Sequence, residues 1–258
     1  MPSAERVRPA IGVLSGRTVV VARAPEAARA MLAELGGLGA SAVAVELQRP
    51  APPVDDGPLR EALAELAGAE WLVVTSANGV RAVAPRLTPG ALGPDGPDVA
   101  VVGPATAAAA SAAGWPVDLV PGSATGAALA AAFPPPAGSG RVIAPLAEAA
   151  GHDLTTGLTA AGYRVRRVDA YRMAPVDPDP AGRRALATAD AVIATAPSVL
   201  DRLLAVAADD LTRPDGPVVV CIGPTTAARA AARGLRRVVT ATQHHGTGLV
   251  SATIAALT

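Results

Sequence analysis

The chain has 258 residues, of which 50% are hydrophobic and only 2% aromatic, and its 22 basic and 22 acidic residues give a formal net charge of zero. The zero charge disfavours a nucleic-acid-binding protein, which usually has a basic excess, and no apolar run approaches the roughly 18 residues that a membrane-spanning helix needs. The single cysteine, Cys221, excludes an internal disulfide and a Cys-x-x-Cys site, and it favours the cytoplasm.

Short β-branched runs alternate with Ala-rich helical stretches along the chain. Pro25 is typical of a helix start, whereas Gly36-Gly37 and Gly114 are typical of helix ends. The predicted strands of the first half are 19–21, 43–45, 72–74, 99–102 and 117–120, and its helices are about 25–35, 59–66, a helix near 78, 105–113 and 125–133. The second half repeats this order. Apolar strands alternating with helices predict an α/β fold with parallel sheets flanked by helices on both faces.

The same motifs occur twice at a fixed offset. The block Gly103-Pro104-Ala105-Thr106 returns as Gly223-Pro224-Thr225-Thr226, a shift of 223 − 103 = 120, and a shift of 123 carries Pro52 onto Pro175. A repeat of about half the chain is too long for a solenoid and predicts two similar domains. Ligand sites favour domain interfaces, so we expect the active site in the cleft between the two.

Two proline-rich segments, 48–58 and 173–180, follow the first strand–helix–strand unit of each half. Proline lacks an N–H and restrains its neighbour to extended geometry, so these segments are predicted to be semi-rigid linkers. The chain is therefore expected to leave its first domain early, complete the second and return. The expected boundaries are 16–47 with 172–258 for the first domain, 53–168 for the second, 48–52 and 169–171 for the linkers, and 1–15 for a frayed leader.

Candidate binding residues lie where strands lead into helices, because ligands of doubly wound sheets bind outside the carboxyl ends of the strands. Helix N-termini there present free N–H groups that favour anions; the alternative is that the small polar residues only cap helices. The candidates for substrate binding are Arg23, Ser76, Asn78, Gly103, Thr106, Pro197, Ser198, Gly223, Thr225 and Thr226. Five arginines near the junctions or the second linker are further candidates for carboxylate binding, although most are expected to be solvated: Arg23, Arg164, Arg166, Arg167 and Arg172.

Tyr171, at the mouth of the second linker, is the candidate catalytic residue. A phenol can exchange a proton and orient a leaving hydroxyl; the alternative is an aromatic that only packs the linker. The chain has no lysine, which excludes Schiff-base catalysis. Adjacent His244 and His245 point apart on a strand and rarely share a metal, so they are predicted to be a solvated loop pair. No metal and no cofactor are expected, and the chemistry is predicted to run on hydroxyls, backbone dipoles and binding.

Five blocks carry a resemblance to a known family: Val74–Val80, Val102–Ala107, Val168–Arg172, Ala196-Pro197-Ser198 and Ile222–Ala227. In their order and spacing, over about residues 16–257, the chain resembles the uroporphyrinogen-III synthase family. The resemblance implies two α/β domains joined by a two-stranded linker, with the active site in the cleft. It implies closure of hydroxymethylbilane into uroporphyrinogen III, with inversion of ring D and loss of water, without cofactor or metal.

The same resemblance places a functionally sensitive tyrosine on Tyr171, the serine of a Thr-Ser strand end on Ser76, and the Gly-Pro-Thr-Thr block on 223–226. Ala196 departs from the family, which often has serine there. The expected partner is hydroxymethylbilane alone, without nucleic acid or membrane, and the expected state is a monomer. A non-catalytic tetrapyrrole-binding or regulatory module of the same fold remains the alternative, and a two-domain solute-binding protein is disfavoured because no secretion signal is visible.

Overall fold

A computed structural model describes residues 12–258, and the chain divides into two compact units. One unit comprises the residues up to Arg49 together with Pro175–Thr258, and the other comprises Pro50–Ala174. Most of the expected leader lies outside the described residues. Its described part is packed against the first unit, because Leu14 is fully buried and its N–H donates to Leu38 O at 2.9 Å. Ordered structure therefore begins before residue 16, the expected start of the first domain.

The described residues form ten strands and ten α-helices. The strands are β1 Thr18–Val21, β2 Ser41–Ala44, β3 Gln48–Ala51, β4 Trp71–Val74, β5 Asp98–Val101, β6 Arg141–Ala147, β7 Arg164–Pro175, β8 Ala191–Ala194, β9 Val218–Cys221 and β10 Val238–Thr240. The helices are α1 Pro25–Gly37, α2 Gly57–Ala64, α3 Ala77–Val83, α4 Pro104–Ala112, α5 Gly126–Ala132, α6 Asp153–Ala160, α7 Pro180–Ala187, α8 Pro197–Thr212, α9 Pro224–Ala232 and α10 Gly246–Leu257. In the part of the chain that these elements cover, no helix is long and apolar enough to cross a membrane.

The first unit is built on a parallel sheet with strand order β10-β9-β8-β1-β2. When its strands are renumbered along the chain, this is the doubly wound order 2-1-3-4-5. In such a sheet the connections change direction between the first and third strands, here β1 and β8. Ligands of this architecture bind outside the carboxyl ends of those two strands.

The second unit contains a sheet of order β3-β7-β6-β4-β5, in which the pairs β7–β6, β6–β4 and β4–β5 are parallel. The series β7-β6-β4-β5 matches β2-β1-β8-β9 of the first unit, as the offsets of 123 and 120 predict. The corresponding ligand position is therefore outside the carboxyl ends of β6 and β4. Pro50 lies in β3 at the edge of the sheet, the usual place for a strand proline.

Each sheet is covered on both faces, which explains why its central strands are almost entirely apolar: β1, β4, β8 and β9. In β1, Val20 packs with Leu200 and Leu203 on one face, whereas Val19 and Val21 pack with residues of α1 and α10 on the other. In the second unit, β4 divides in the same way between two clusters of buried side chains. Parallel strands that are buried on both faces lose the polar alternation of an exposed sheet.

The structure corrects two details of the predicted elements. Helix α1 runs through Gly36-Gly37, and the chain turns instead at Gly39, which has a φ of 93°. The predicted strand 117–120 is reduced to a single parallel bridge between Ala100 and Leu119. Prolines at 116 and 121 bracket that segment and lack the N–H groups that would extend the ladder.

Candidate active site

Tyr171 and Ser76, two of the predicted site residues, are in direct contact within the second unit. Tyr171 Oη lies 2.9 Å from Ser76 Oγ, and Ser76 Oγ accepts the Gly79 N–H at 3.0 Å. Ser76 is the N-cap of α3 at the end of β4, so its expected alternative role as a helix cap is also real. The contact lies beside the strand ends where a doubly wound sheet binds its ligand.

A register shift in β7 directs the tyrosine to this position. Leu146 pairs with Asp169 but Ala147 pairs with Tyr171, so one extra residue of β7 is accommodated at this point. As a result Ala170 and Tyr171, although consecutive, both pack into the same cluster of buried side chains. Bulges of this kind re-aim side chains next to active sites. Tyr171 is 8% exposed, so its ring is held by packing while its hydroxyl has one protein partner.

The Tyr171–Ser76 contact leaves a free donor in either orientation. Ser76 Oγ already accepts one N–H, and each hydroxyl carries one hydrogen. If Ser76 donates to Tyr171, the phenol hydrogen is available to a ligand; if Tyr171 donates, the serine hydrogen is available. The pair can therefore present one O–H donor whose oxygen is polarised by a hydrogen-bond chain that starts at a helix N-terminus.

A loop packs closely on the first of the two Gly-Pro blocks and less closely on the second. A Cβ built on Gly103 would lie 2.9 Å from the Cβ of Ala124, whereas one on Gly223 would lie 3.4 Å from the ring of His244, an ordinary van der Waals contact. Both glycines have extended backbones that any residue adopts, so close approach and not conformation explains Gly103. Thr106 and Thr226, three residues further on, are only 4% and 2% exposed.

Four helices that follow strands, three in the first unit and one in the second, begin with an alanine or glycine N-cap and therefore have no side-chain cap. Helices α1, α4, α8 and α9 have Ala24, Gly103, Ala196 and Gly223 as N-caps, and each has proline in its first turn. By contrast Ser76, Thr125 and His245 cap α3, α5 and α10. Because an uncapped first turn leaves backbone N–H groups for a ligand, the uncapped junctions suit carboxylates.

The remaining predicted residues also follow strands, in one unit or the other. No hydrogen bond between side chains of the described residues joins them to one another. Asn78 Oδ1 accepts from Arg81 Nη1 at 2.8 Å, and Ser198 Oγ accepts from Gln48 Nε2 at 3.1 Å. Pro197 forms the first turn of α8, and Arg23 and Thr225 are exposed. Gln48 corresponds to Tyr171 through the offset of 123, since 48 + 123 = 171. In both units the equivalent linker residue thus bonds a hydroxyl just after the equivalent strand.

His245 has a structural role that the sequence prediction missed. Its Nδ1 accepts the Gly248 N–H at 3.4 Å and caps α10, as Thr125 Oγ1 accepts the Ala128 N–H at 3.1 Å in α5. The offset of 120 places His245 on Thr125, so the repeat contained this signal. Within residues 12–258, no group of three or more His, Cys, Asp and Glu side chains is placed to hold a metal ion. Cys221 is buried, and burial raises the pKa of its thiol to about 11, so the thiol stays protonated at neutral pH.

Comparison with known proteins decides the family. The model of the family described as uroporphyrinogen-III synthase HemD matches residues 29–251. The chain belongs to the uroporphyrinogen-III synthase family. The resemblance carried by the five sequence blocks is thereby confirmed.

Relatives of the uroporphyrinogen-III synthase family agree with this assignment. The uroporphyrinogen-III synthase of Synechococcus elongatus is 34% identical over 163 residues, which span 61% of this chain and 61% of that protein. A mutant uroporphyrinogen III synthase from Thermus thermophilus has the same fold, with a TM-score of 0.60 at 22% identity over 94% of this chain and 99% of its own. The uroporphyrinogen-III synthetase from Helicobacter pylori gives 0.64 at 15% identity over 93% and 99%.

Proposed function

We propose that this protein is a uroporphyrinogen-III synthase. It closes the linear tetrapyrrole hydroxymethylbilane into uroporphyrinogen III, with inversion of ring D and release of water, and is in that sense a lyase. Family membership supports the proposal, and the single structural observation that carries it is the Tyr171–Ser76 hydroxyl pair beside the ends of β4 and β6. The predicted monomeric state, cytoplasmic location and independence of cofactors are parts of the same proposal.

The reaction needs a proton where the hydroxyl of the substrate departs. In the proposed step, the Tyr171 phenol gives its proton to that hydroxyl, which leaves as water and generates an azafulvene-like cation. The substituted carbon of ring D attacks this cation and gives a spirocyclic intermediate. The bond from that carbon to its original bridging carbon then breaks, ring D turns over, and its free α-carbon bonds to the released bridging carbon and loses one proton, which restores the phenol, so the reaction consumes no net acid. Ser76, fixed by the Gly79 N–H, donates to Tyr171 and keeps the phenol hydrogen directed away from itself.

The acetate and propionate arms of the substrate are held mainly by backbone N–H groups in this proposal. The uncapped N-termini of α1, α4, α8 and α9 supply these donors from the carboxyl edges of both sheets. Preorganised amides add up without the side-chain entropy of long surface cations. That the two edges bind one substrate molecule in a cleft stays a prediction of the sequence.

The decisive experiment supplies purified protein with hydroxymethylbilane and identifies the isomers formed. Without an enzyme, the substrate cyclises spontaneously to the type I isomer, so the control is the same mixture without protein. We expect the type III isomer to dominate, and to do so equally after exhaustive treatment with EDTA. Formation of only the type I isomer at the spontaneous rate would refute the activity; tight tetrapyrrole binding in that case would support the non-catalytic alternative.

A further inference from the structure

The half-buried arginines of this chain differ in whether an acceptor compensates their charge. Arg86, Arg141, Arg166 and Arg202 each form an ion pair with an acidic side chain. Arg172 is also half-buried, yet no hydrogen bond and no ion pair joins it to any residue in the described range 12–258. A guanidinium that is partly removed from water without an acceptor is costly. Within residues 12–258, no acidic side chain compensates the positive charge of Arg172.

Buried polar atoms without a hydrogen-bond partner are concentrated around this residue. Among the described residues they are Arg167 Nε and Arg172 Nε in β7 and Arg213 Nε in the first unit. Asp169 Oδ1 in β7 also lacks a hydrogen bond, although it forms an ion pair with Arg167. Buried polar groups are almost always satisfied, so such a concentration within six consecutive residues of one strand requires an explanation. An anionic ligand would supply acceptors for the two arginine N–H groups, and β7 is the strand that carries Tyr171.

The neighbouring Arg167 is held in place by its own contacts. Its Nη2 donates to Ala147 O at 3.2 Å and Glu148 O at 2.9 Å, and lies 3.3 Å from Asp169 Oδ1. The Glu148 N–H in turn donates to Tyr171 O at 2.9 Å. The loop after β6 therefore connects Arg167 to the backbone of Tyr171. Arg167, Asp169 and Arg172 form a row of charged residues along β7. Their formal charges sum to +1, which one carboxylate neutralises.

We propose that Arg172 binds a carboxylate arm, acetate or propionate, of the linear tetrapyrrole, and that Arg167 and Asp169 position this row of charges. The inference rests on the proposed function and deepens it by naming a substrate-binding side chain. A guanidinium binds a carboxylate through a planar fork of N–H donors. Because Arg172 directly follows Tyr171, a carboxylate held there fixes the substrate relative to the phenol.

The test compares Arg172→Gln with Arg164→Gln. The sequence made Arg164 a candidate, but it is the first residue of β7 and so lies at the amino end of the strand, opposite the carboxyl edge where ligands bind. It is exposed and donates to Ser139 O, so it controls for loss of one positive charge on β7. With hydroxymethylbilane, we expect Arg172→Gln to raise KM about 10–100-fold, the factor for a lost charge-assisted hydrogen bond, and to leave kcat within about threefold. Arg164→Gln is expected to keep both constants.

A binding measurement without turnover separates the proposed synthase activity from the proposed role of Arg172 in binding a carboxylate. Uroporphyrin III keeps all acetate and propionate arms and is titrated into wild type, both glutamine variants and Arg172→Lys. We expect the Kd of Arg172→Gln to rise in parallel with its KM, and Arg172→Lys to lie between it and wild type because a point charge replaces the fork.

The outcomes are distinguishable. If wild type neither forms the type III isomer nor binds uroporphyrin III, the proposed function fails and this inference with it. If wild type does both and Arg172→Gln keeps the wild-type KM and Kd, the inference about Arg172 is overturned while the function stands. A lower melting temperature with unchanged KM and Kd would likewise overturn it, since Arg172 would then serve only structure.

Discussion

The Tyr171 phenol and the Ser76 hydroxyl lie 2.9 Å apart although 95 positions separate them in the chain. One comes from the strand that leads out of the second unit, and the other from the turn between β4 and α3. The serine is fixed by the Gly79 N–H, and the phenol is fixed by a largely buried ring. The pair is thus a preorganised hydroxyl donor, and its chemistry can be tested by removing one atom at a time.

The Tyr171→Phe change removes the phenol oxygen and keeps the packing of the ring. We expect kcat to fall about 10²–10⁴-fold, the usual contribution of a positioned acid. The loss of one hydrogen bond costs roughly 1 kcal/mol, which for a chain of this size shifts the melting temperature by about 2–4 °C. Steady-state kinetics with hydroxymethylbilane and a thermal melt measure both quantities.

Tyr163→Phe is the matched control for this change. The Tyr163 hydroxyl donates to Pro134 O at 2.9 Å and lies in the same unit, so its removal has a similar effect on stability. We expect its kcat to be that of wild type. Nearly full activity in Tyr171→Phe, at the level of Tyr163→Phe, would make Tyr171 a packing residue and would leave catalysis to binding and backbone dipoles.

Ser76→Ala is expected to act through Tyr171. If the serine only orients the phenol, the double variant with Tyr171→Phe should lose no more kcat than Tyr171→Phe alone, because residues that act as a unit are not additive. Ser76→Ala also removes a helix cap and should cost about 1 kcal/mol of stability. Thr125→Ala removes the equivalent cap of α5 and serves as the control with unchanged kcat. Additive losses of kcat would show that the two hydroxyls act independently.

Gly103→Ala should destabilise the protein more than Gly223→Ala. The new methyl at 103 meets the Cβ of Ala124 at 2.9 Å, whereas at 223 it meets an imidazole at 3.4 Å that can rotate away. Overpacking costs roughly 1–3 kcal/mol, and we expect Gly103→Ala in that range and Gly223→Ala below about 1 kcal/mol. Chemical denaturation measures both. Addition of Ala124→Gly should restore Gly103→Ala; no restoration would mean that the close approach is not the cause.

Glu70 makes the stability of the second unit depend on pH. Its carboxylate accepts the N–H groups of Ala137, Gly138 and Gly140 at 2.8–2.9 Å. The bond from Ala137, together with those from the two glycines, holds the pKa of Glu70 below its ordinary value of 4.5, against the opposing effect of burial. A depressed carboxyl pKa stabilises the fold above the unfolded value, and this contribution is lost as the pH falls through the folded value.

We therefore expect Glu70→Gln to cost about 1–3 kcal/mol at neutral pH, and the difference from wild type to shrink as the pH falls below 4.5. Urea denaturation of both proteins, in steps from neutral pH to about pH 3, measures this difference. A difference that stays constant over this range would contradict the prediction.

Asp98 affects the pH dependence of stability in the opposite direction. Burial, and then the charges of Asp118 and Glu70, raise the pKa of Asp98, so its ionised form lowers the stability of the fold at neutral pH. The Asp98→Asn variant measures that contribution separately.

Much of the site was predictable because it consists of local patterns. Glycine, proline and small polar residues after apolar strands predicted the strand-to-helix junctions. Because parallel strands point the same way, the junctions of each unit lie along the carboxyl edge of its sheet. The repeat also predicted the matching strand orders of the two units. The individual contacts were not predictable: Thr226, a candidate for substrate binding, is only 2% exposed, and His245 is exposed as expected but also caps α10.

The sequence by itself determined the fold class, the duplication and the family. Periodicity, turn residues and the spacing of the blocks can be read along the chain without knowing how distant segments pack. Only the tertiary structure decided that the pairing of β7 with β6 shifts between Leu146 and Ala147, and that Tyr171 consequently reaches Ser76. It also decided that Arg172 is half-buried with no counter-charge from the described residues 12–258. These features depend on how strands distant in the chain pair and pack. A one-residue shift there changes which face a side chain takes, and no local pattern records it.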